Sequence, residues 1–304
     1  MSQPHPACPA IGANTWIWVS PLTDERLAEL APRIAGWGFD VIELPIENPG
    51  DWDPVGAASL LASVGLGATV CAVMPRGREL VAAPAELVTA TQDYLRACVD
   101  AAATVGSGVV AGPMYSSVGR TWRFGPVERS ALAVELRDAL APVADHAAEL
   151  GVRLAVEPLN RYETSVVNTV EQGLELIDGL PPSAVGLTLD IYHLNIEEQD
   201  PAAAIRMAGA AGRLAHVQVC ANDRGAPGAD HVDWPAIRDA LADAGYAGPL
   251  CIESFTAENE SIATAASIWR PLARSQDAIA TDGLAFLRGL WAPRSDSPAG
   301  LARQ

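Results

Sequence analysis

Val185-Gly-Leu-Thr-Leu-Asp190 is a short apolar run that closes on a carboxylate, and its shape recurs along the whole chain. Upstream, Val152-Arg-Leu-Ala-Val156 closes on Glu157; downstream come Leu214-Ala-His-Val-Gln-Val219 and Pro249-Leu-Cys-Ile252, the last closing on Glu253. Short runs of this kind, set between longer Ala/Leu/Glu-rich stretches, are the pattern of strands alternating with helices in a parallel sheet. Working outward, the spacing predicts eight strands: Gly12 to Val19, Val41 to Leu44, Ala68 to Met74, Gly108 to Pro113, Arg153 to Pro158, Val185 to Asp190, Leu214 to Val219 and Pro249 to Ser254. Eight strand–helix pairs is the number that closes a (β/α)8 TIM barrel, α/β in class and a single domain. An open doubly wound sheet shares the alternation, but no G-x-G-x-x-G follows the first strand.

Helices are expected over Asp24 to Trp37, Pro84 to Thr104, Pro126 to Leu150, Val170 to Asp178 and Trp234 to Ala244. Several stop at a glycine, at Gly38, Gly151, Gly179 and Gly245, where a left-handed cap tolerates no Cβ without cost. Residues 1–294 are assigned to the barrel. The stretch 295–304, short of apolar side chains, reads as a mobile tail with no function assigned.

A chain of 304 residues fits one barrel, and with 49% hydrophobic residues and a mean hydropathy of +0.15 it can bury a large core without a membrane. Twenty basic against 37 acidic residues leave a net charge of −17, which repels phosphate backbones and anionic lipid surfaces. Nucleic acid and membrane are therefore excluded as partners, and an uncharged small molecule is favoured. The five cysteines, an odd number widely spread, read as reduced packing residues. Met1 to Pro9 has neither a basic nor an apolar leader segment, so the expected location is cytoplasmic.

In a (β/α)8 barrel the chemistry lies at the C-terminal strand ends. Glu157, Asp190 and Glu253 close strands five, six and eight. His216 and Gln218 sit two apart on strand seven and so project to one side, where either could reach a metal. Carboxylates gathered in a dry pocket repel one another, and a dication is the common way such a group stays ionised. Oxygen-rich ligation favours Mn²⁺, with Mg²⁺ or Co²⁺ as alternatives. The competing assignment for each single carboxylate is the N-cap of the helix that follows.

Through these residues the chain resembles the D-tagatose/D-allulose 3-epimerase and L-ribulose 3-epimerase family, within the xylose-isomerase-like barrels. The resemblance is carried by Glu157-Pro-Leu-Asn-Arg-Tyr-Glu163 with Asn168-Thr169, by Leu189-Asp-Ile-Tyr-His-Leu-Asn-Ile-Glu-Glu198, by Asn222-Asp-Arg-Gly-Ala-Pro-Gly228 running to Asp233-Trp234, and by Ile252-Glu-Ser-Phe255; Ile268-Trp-Arg270 is similar to the L-ribulose type. It implies that Glu157, Asp190 and Glu253 bind a divalent metal. It further implies that Glu157 and Glu253 are the catalytic acid and base on opposite faces of a keto-sugar, and that Glu163, His193 and Arg224 hold the substrate. One departure stands out: the family's metal histidine falls on Gln218, with His216 two residues earlier as the alternative ligand.

The activity so implied is metal-dependent epimerisation of a ketose at C3 through an enediolate. The readings beside it are a C-glycoside deglycosylase-type lyase α subunit acting on a 3-oxo-sugar with a small β partner subunit, a hydroxypyruvate isomerase-like aldose–ketose isomerase, and a non-catalytic sugar-binding barrel. Trp16, Trp18, Trp122 and Tyr115 are candidates to wall the sugar site. Relatives of this architecture pair their barrels, so a homodimer or homotetramer is expected, with the region near Trp269 and Trp291 as an apolar face.

Overall fold

The computed structural model describes residues 8–292. Eight parallel strands close in sequence order, each hydrogen-bonded to the next and the eighth to the first. They are β1 Ile11–Asn14, β2 Val41–Ile46, β3 Gly67–Ala72, β4 Val109–Gly112, β5 Arg153–Val156, β6 Val185–Asp190, β7 Leu214–Val219 and β8 Leu250–Ile252. The helices are α1 Asp24–Trp37, α2 Pro54–Val64, α3 Ala85–Val105, α4 Pro126–Glu149, α5 Val170–Leu176, α6 Ile191–Glu197, α7 Pro201–Ala210, α8 Trp234–Asp243, α9 Glu260–Ala265 and α10 Gln276–Leu290. The expected barrel is therefore the fold, and all eight expected strands are present. The tail assigned to 295–304 lies outside the described residues.

Local chemistry sets the element ends. Thr23, Asp53, Asp200 and Asp233 each turn a side-chain oxygen onto a backbone N–H of the first turn of α1, α2, α7 and α8. Gly38 ends α1 at φ 93°, a left-handed position open to glycine. The first strand is shorter than its apolar run suggests. Asn14 Oδ1 accepts the N–H of Trp16 at 2.9 Å, which turns Thr15–Ile17 into a 3₁₀ turn and aims Trp16 across the barrel mouth.

Side chains alternate in and out as a period of two requires, except on β7, where the pairing with β6 shifts between Leu187 and Thr188 and skips Ala215. Ile42, Leu44, Val70, Leu154, Val156, Leu187, Leu189, Val217, Leu250 and Ile252 face outward into one large core shared with the helices. Inward positions are small or polar: Cys71, Ala111 and Ala155 pack within the barrel, and Asn14, Glu43, Thr69, Thr188, His216, Gln218 and Glu253 are buried beside them. The outward core supplies the stability, since each fully buried aliphatic side chain contributes about 1.5–3 kcal/mol. That leaves the interior free to carry polar groups.

Four of the five cysteines are buried and all are free. Among the described residues no helix is long and apolar enough to cross a membrane.

Gly112, at the end of β4, joins this frame to the site. Its φ is 141°, and a Cβ there would come within 2.4 Å of the Ala72 carbonyl oxygen on β3. Its own carbonyl accepts the backbone N–H of Glu157 at 3.0 Å. Gly112→Ala should destabilise the protein by about 2–4 kcal/mol through combined clash and backbone strain. Urea denaturation checks this, and a change below about 0.5 kcal/mol would contradict it.

Candidate functional site

The C-terminal ends of the strands open into a cleft of about 430 Å³, within the range of small-molecule sites. Glu157, Glu163, His193, Gln218, Arg224 and Glu253 all line it. Asp190 is buried at their centre. The structure thus brings seven of the eight sequence-expected residues together, and the eighth, His216, stands apart from them.

Arg224 organises the group. Its Nη1 contacts Asp190 Oδ2 and lies 2.9 Å from Glu253 Oε2, and its guanidinium stacks 3.9 Å over the Tyr192 ring and 5.1 Å from that of Phe255. The residue adopts φ 69°, a left-handed conformation uncommon for a non-glycine residue. A turn fixes it there, in which Ala221 N–H donates to the Gly225 carbonyl and Arg224 N–H to that of Ala221. A strained backbone and two aromatic faces hold one cation in the middle of the mouth.

Asp190 fills the helix-cap role weighed for it and also meets the cation of the mouth. Its Oδ1 caps α6 by accepting the Tyr192 N–H at 3.0 Å, and its Oδ2 faces Arg224. His193, three residues on, is 2% exposed. Its Nδ1 accepts from the backbone N–H of Asn160 at 3.1 Å, so the ring proton sits on Nε2, which faces Glu157 Oε1 at 3.5 Å. Arg224 Nη2 lies 3.3 Å from the same Nε2, a contact between two donors and so no hydrogen bond. Burial first, and then Arg224, hold His193 well below the usual imidazole range, so it is neutral near pH 7. Asn160 Nδ2 also donates to Glu163 Oε1 at 2.7 Å, and Asn168 Nδ2 ties the same loop to the carbonyls of Leu159 and Thr164. These bonds give the Glu157–Glu163 and Asn168 motifs a structural reason.

His216 points inward but one layer deeper than Gln218. Its Nε2 meets Glu43 Oε1 at 2.6 Å, and Glu43 is its only carboxylate partner within salt-bridge distance among the described residues. As an alternative to Gln218 at the mouth it therefore fits poorly, because its reach is spent on Glu43. Gln218 donates through Nε2 to Glu253 Oε1 at 2.7 Å and to Glu43 Oε2 at 2.9 Å, while its Oε1 is buried with no hydrogen-bond partner.

The charge in the mouth does not balance. Glu157, Asp190, Glu253 and Glu163 share one buried cation among the described residues, Arg224, while Arg76 lines the same cleft from an exposed position and His193 is neutral. Burial, then the other carboxylates, push Glu157 well above the ordinary range; burial also raises Glu253 and Asp190, although Arg224 opposes it at both. Three carboxylates and an unsatisfied amide oxygen form an oxygen-rich donor set that a divalent cation can satisfy. Glu157, Asp190 and His193 also offer ligand atoms within 4.8 Å of one another.

The sequence-level candidates for the walls divide. Trp16 lines the cleft beside Phe255 at 5.4 Å between ring centroids. Trp18 instead stacks on Trp37 and donates to Asp277, and Trp122 packs on Phe124. Tyr115 is wholly buried, its hydroxyl donating to the Glu157 carbonyl at 2.9 Å. Trp291 is buried at the end of α10, so of the expected apolar face only Trp269 is exposed. Reading from sequence missed Glu43, Tyr192 and Phe255. Glu43 did leave a signal, as a lone charge inside the apolar run Val41-Ile-Glu-Leu44.

Residues 32–290 match the xylose isomerase-like TIM barrel family model. The chain belongs to that family. It is 34% identical over 279 residues to a probable ketose 3-epimerase of Synechocystis sp., covering 91% of this chain and 95% of the relative. It is 32% identical to an L-ribulose 3-epimerase of Mesorhizobium japonicum over 91% and 92% of the two chains. Among solved structures, a D-allulose 3-epimerase from Methylomonas sp. in complex with D-allulose superposes with a TM-score of 0.84 at 27% identity, over 95% of this chain and 99% of that one.

The raised carboxylates give a pH dependence. Unfolded, Glu157 and Glu253 titrate near 4.5; folded, they titrate higher, so the folded state binds more protons and its stability falls as pH rises above that value. Glu43 and the depressed His193 have the opposite sign, but their windows lie between about 2 and 4.5 and below the free imidazole value of 6.5. With EDTA present, the Tm should therefore fall from pH 6.5 to pH 8, and Mn²⁺ should raise it more at pH 8 than at pH 6.5. Thermal melts followed by circular dichroism check this, and a flat or rising Tm with EDTA would contradict it.

Proposed function

We propose that the protein is a divalent-metal-dependent ketose 3-epimerase, with Glu157 and Glu253 as the acid–base pair. The observation that carries this is their placement: two buried glutamates, from strands three apart round the barrel, line one cleft with Arg224 between them. The names of the relatives, ketose 3-epimerase and L-ribulose 3-epimerase, support the same reaction class.

Glu157, Asp190, Glu253 and Gln218 Oε1 would hold the ion, with Mn²⁺ preferred by an oxygen-rich set and Mg²⁺ or Co²⁺ as alternatives. Bound there, a divalent ion supplies Lewis-acid stabilisation of negative charge on the substrate's C2 and C3 oxygens. One glutamate takes the C3 proton, which leaves an enediolate. The other returns a proton to the opposite face and inverts the centre.

Arg224 and the Nε2–H of neutral His193 donate to substrate oxygens, stabilising charge that builds as the proton leaves. Glu163, fixed by Asn160, accepts from a sugar hydroxyl. Trp16 and Phe255 give an apolar wall and help keep water from the enediolate. A lysine Schiff base cannot substitute for this route, since the chain contains no lysine. The acidic surface and the carboxylates of the cleft suit a neutral keto-sugar better than a phosphorylated one.

Product analysis by chromatography tests the reading on free pentuloses and hexuloses, after chelation and after reloading with Mn²⁺. The expected result is the C3 epimer of at least one ketose, formed only in the reloaded sample. Glu157→Gln and Glu253→Gln should each lower kcat by roughly 10²–10⁴-fold, and near-normal activity in either would remove that residue from the acid–base role. Formation of an aldose, or no product from any ketose, would overturn the epimerase assignment.

A further inference from the structure

Beneath the mouth the barrel carries a second polar layer that the proposed reaction does not use. Glu43, from the middle of β2, is wholly buried and receives four hydrogen bonds. His216 Nε2 and Thr69 Oγ1 donate to its Oε1 at 2.6 and 3.1 Å, and Asn14 Nδ2 and Gln218 Nε2 donate to its Oε2, both at 2.9 Å. The donors come from β1, β3 and β7, so the carboxylate is fixed from three sides. A buried carboxylate this well satisfied stays charged and does not rotate.

Gln218 hangs between this layer and the one above. Its amide nitrogen has two hydrogens, and both are spent on carboxylates, Glu43 below and Glu253 above. Turned over, the amide would set its oxygen against two carboxylate oxygens at 2.7 and 2.9 Å, a buried acceptor–acceptor clash. Only one orientation survives. It leaves Oε1, buried and unpartnered, as the atom Gln218 has left to offer a ligand.

We infer that Glu43 is a positioning residue whose fixed carboxylate locks the Gln218 amide with its oxygen turned to the metal site. This rests on the metal reading of the mouth and goes beyond it by explaining how a neutral amide serves there. An amide free to flip has a second orientation that presents a donor, which a cation cannot use. Glu43 removes that state, much as outer carboxylates orient ligating histidines. His216 and Thr69 act one step further back, by holding Glu43.

The test measures Mn²⁺ dissociation constants from the electron paramagnetic resonance signal of free Mn²⁺. Glu43→Gln should weaken binding roughly 10–100-fold. Thr69→Val, which removes one donor from the Glu43 oxygen that does not touch Gln218, should stay within about threefold of wild type, as expected where only a spare hydrogen bond is lost. Mn²⁺ bound equally well by Glu43→Gln and wild type overturns the inference alone. A wild type that takes up no Mn²⁺ overturns the metal reading itself, before any variant is compared.

Glu43→Gln could fail to fold, so a second measurement uses wild-type protein labelled with ¹⁵N-glutamine. Both side-chain amide protons of Gln218 should exchange slowly with solvent, since each is donated to a buried carboxylate. Fast exchange of either proton would overturn the locked orientation.

Discussion

Repulsion among buried carboxylates is the constraint on which the rest of this structure depends. Glu157, Asp190 and Glu253 are each at most 6% exposed, and one guanidinium stands among them. Uncompensated, that arrangement favours protonation or unfolding. The chain meets the cost in its architecture: the outward faces of the strands and the helices form the stabilising core, and the barrel interior is released from that task. A site destabilising in isolation is tolerated because the scaffold around it does not depend on it for packing.

The interior then divides into two charge layers with opposite character. In the lower one Glu43 is held by four donors, and although burial alone would raise its pKa, His216, Gln218 and Asn14 outweigh burial and bring it down to about 2. In the upper one burial prevails and the carboxylates are raised. The difference is supply of donors: the lower layer is self-sufficient, and the upper layer is left short of positive charge. Gln218 bridges them, donating to Glu43 below and to Glu253 above.

Much of this was legible in the sequence. A strand needs only its alternation and its bounding turns to be recognised, and Val185–Asp190 and Leu214–Val219 match their expected limits at both ends. Glu157, Asp190 and Glu253 were visible because three strands close on a carboxylate at the same end of the barrel, although each alone reads equally as a helix cap, which Asp190 also is. What sequence could not show was depth. His216 and Gln218 share a face of one strand, and their difference in role comes from Glu43, 173 residues away from His216 in the chain. Asn14 was also hidden, since its cap onto Trp16 cuts short a run that reads as continuous strand. The aromatic walls followed the same rule: Trp16 and Trp18 are neighbours in sequence, yet one lines the cleft and the other packs on Trp37.

The central claim is that two glutamates exchange a proton at C3 of a ketose within this cleft. Mass-spectrometric uptake of solvent deuterium, with the protein stripped and then reloaded with Mn²⁺, tests it most directly. The account predicts one deuterium at C3 of both the recovered ketose and its epimer, only in the reloaded sample. Label at C1 instead, or epimer formed without label, would contradict it.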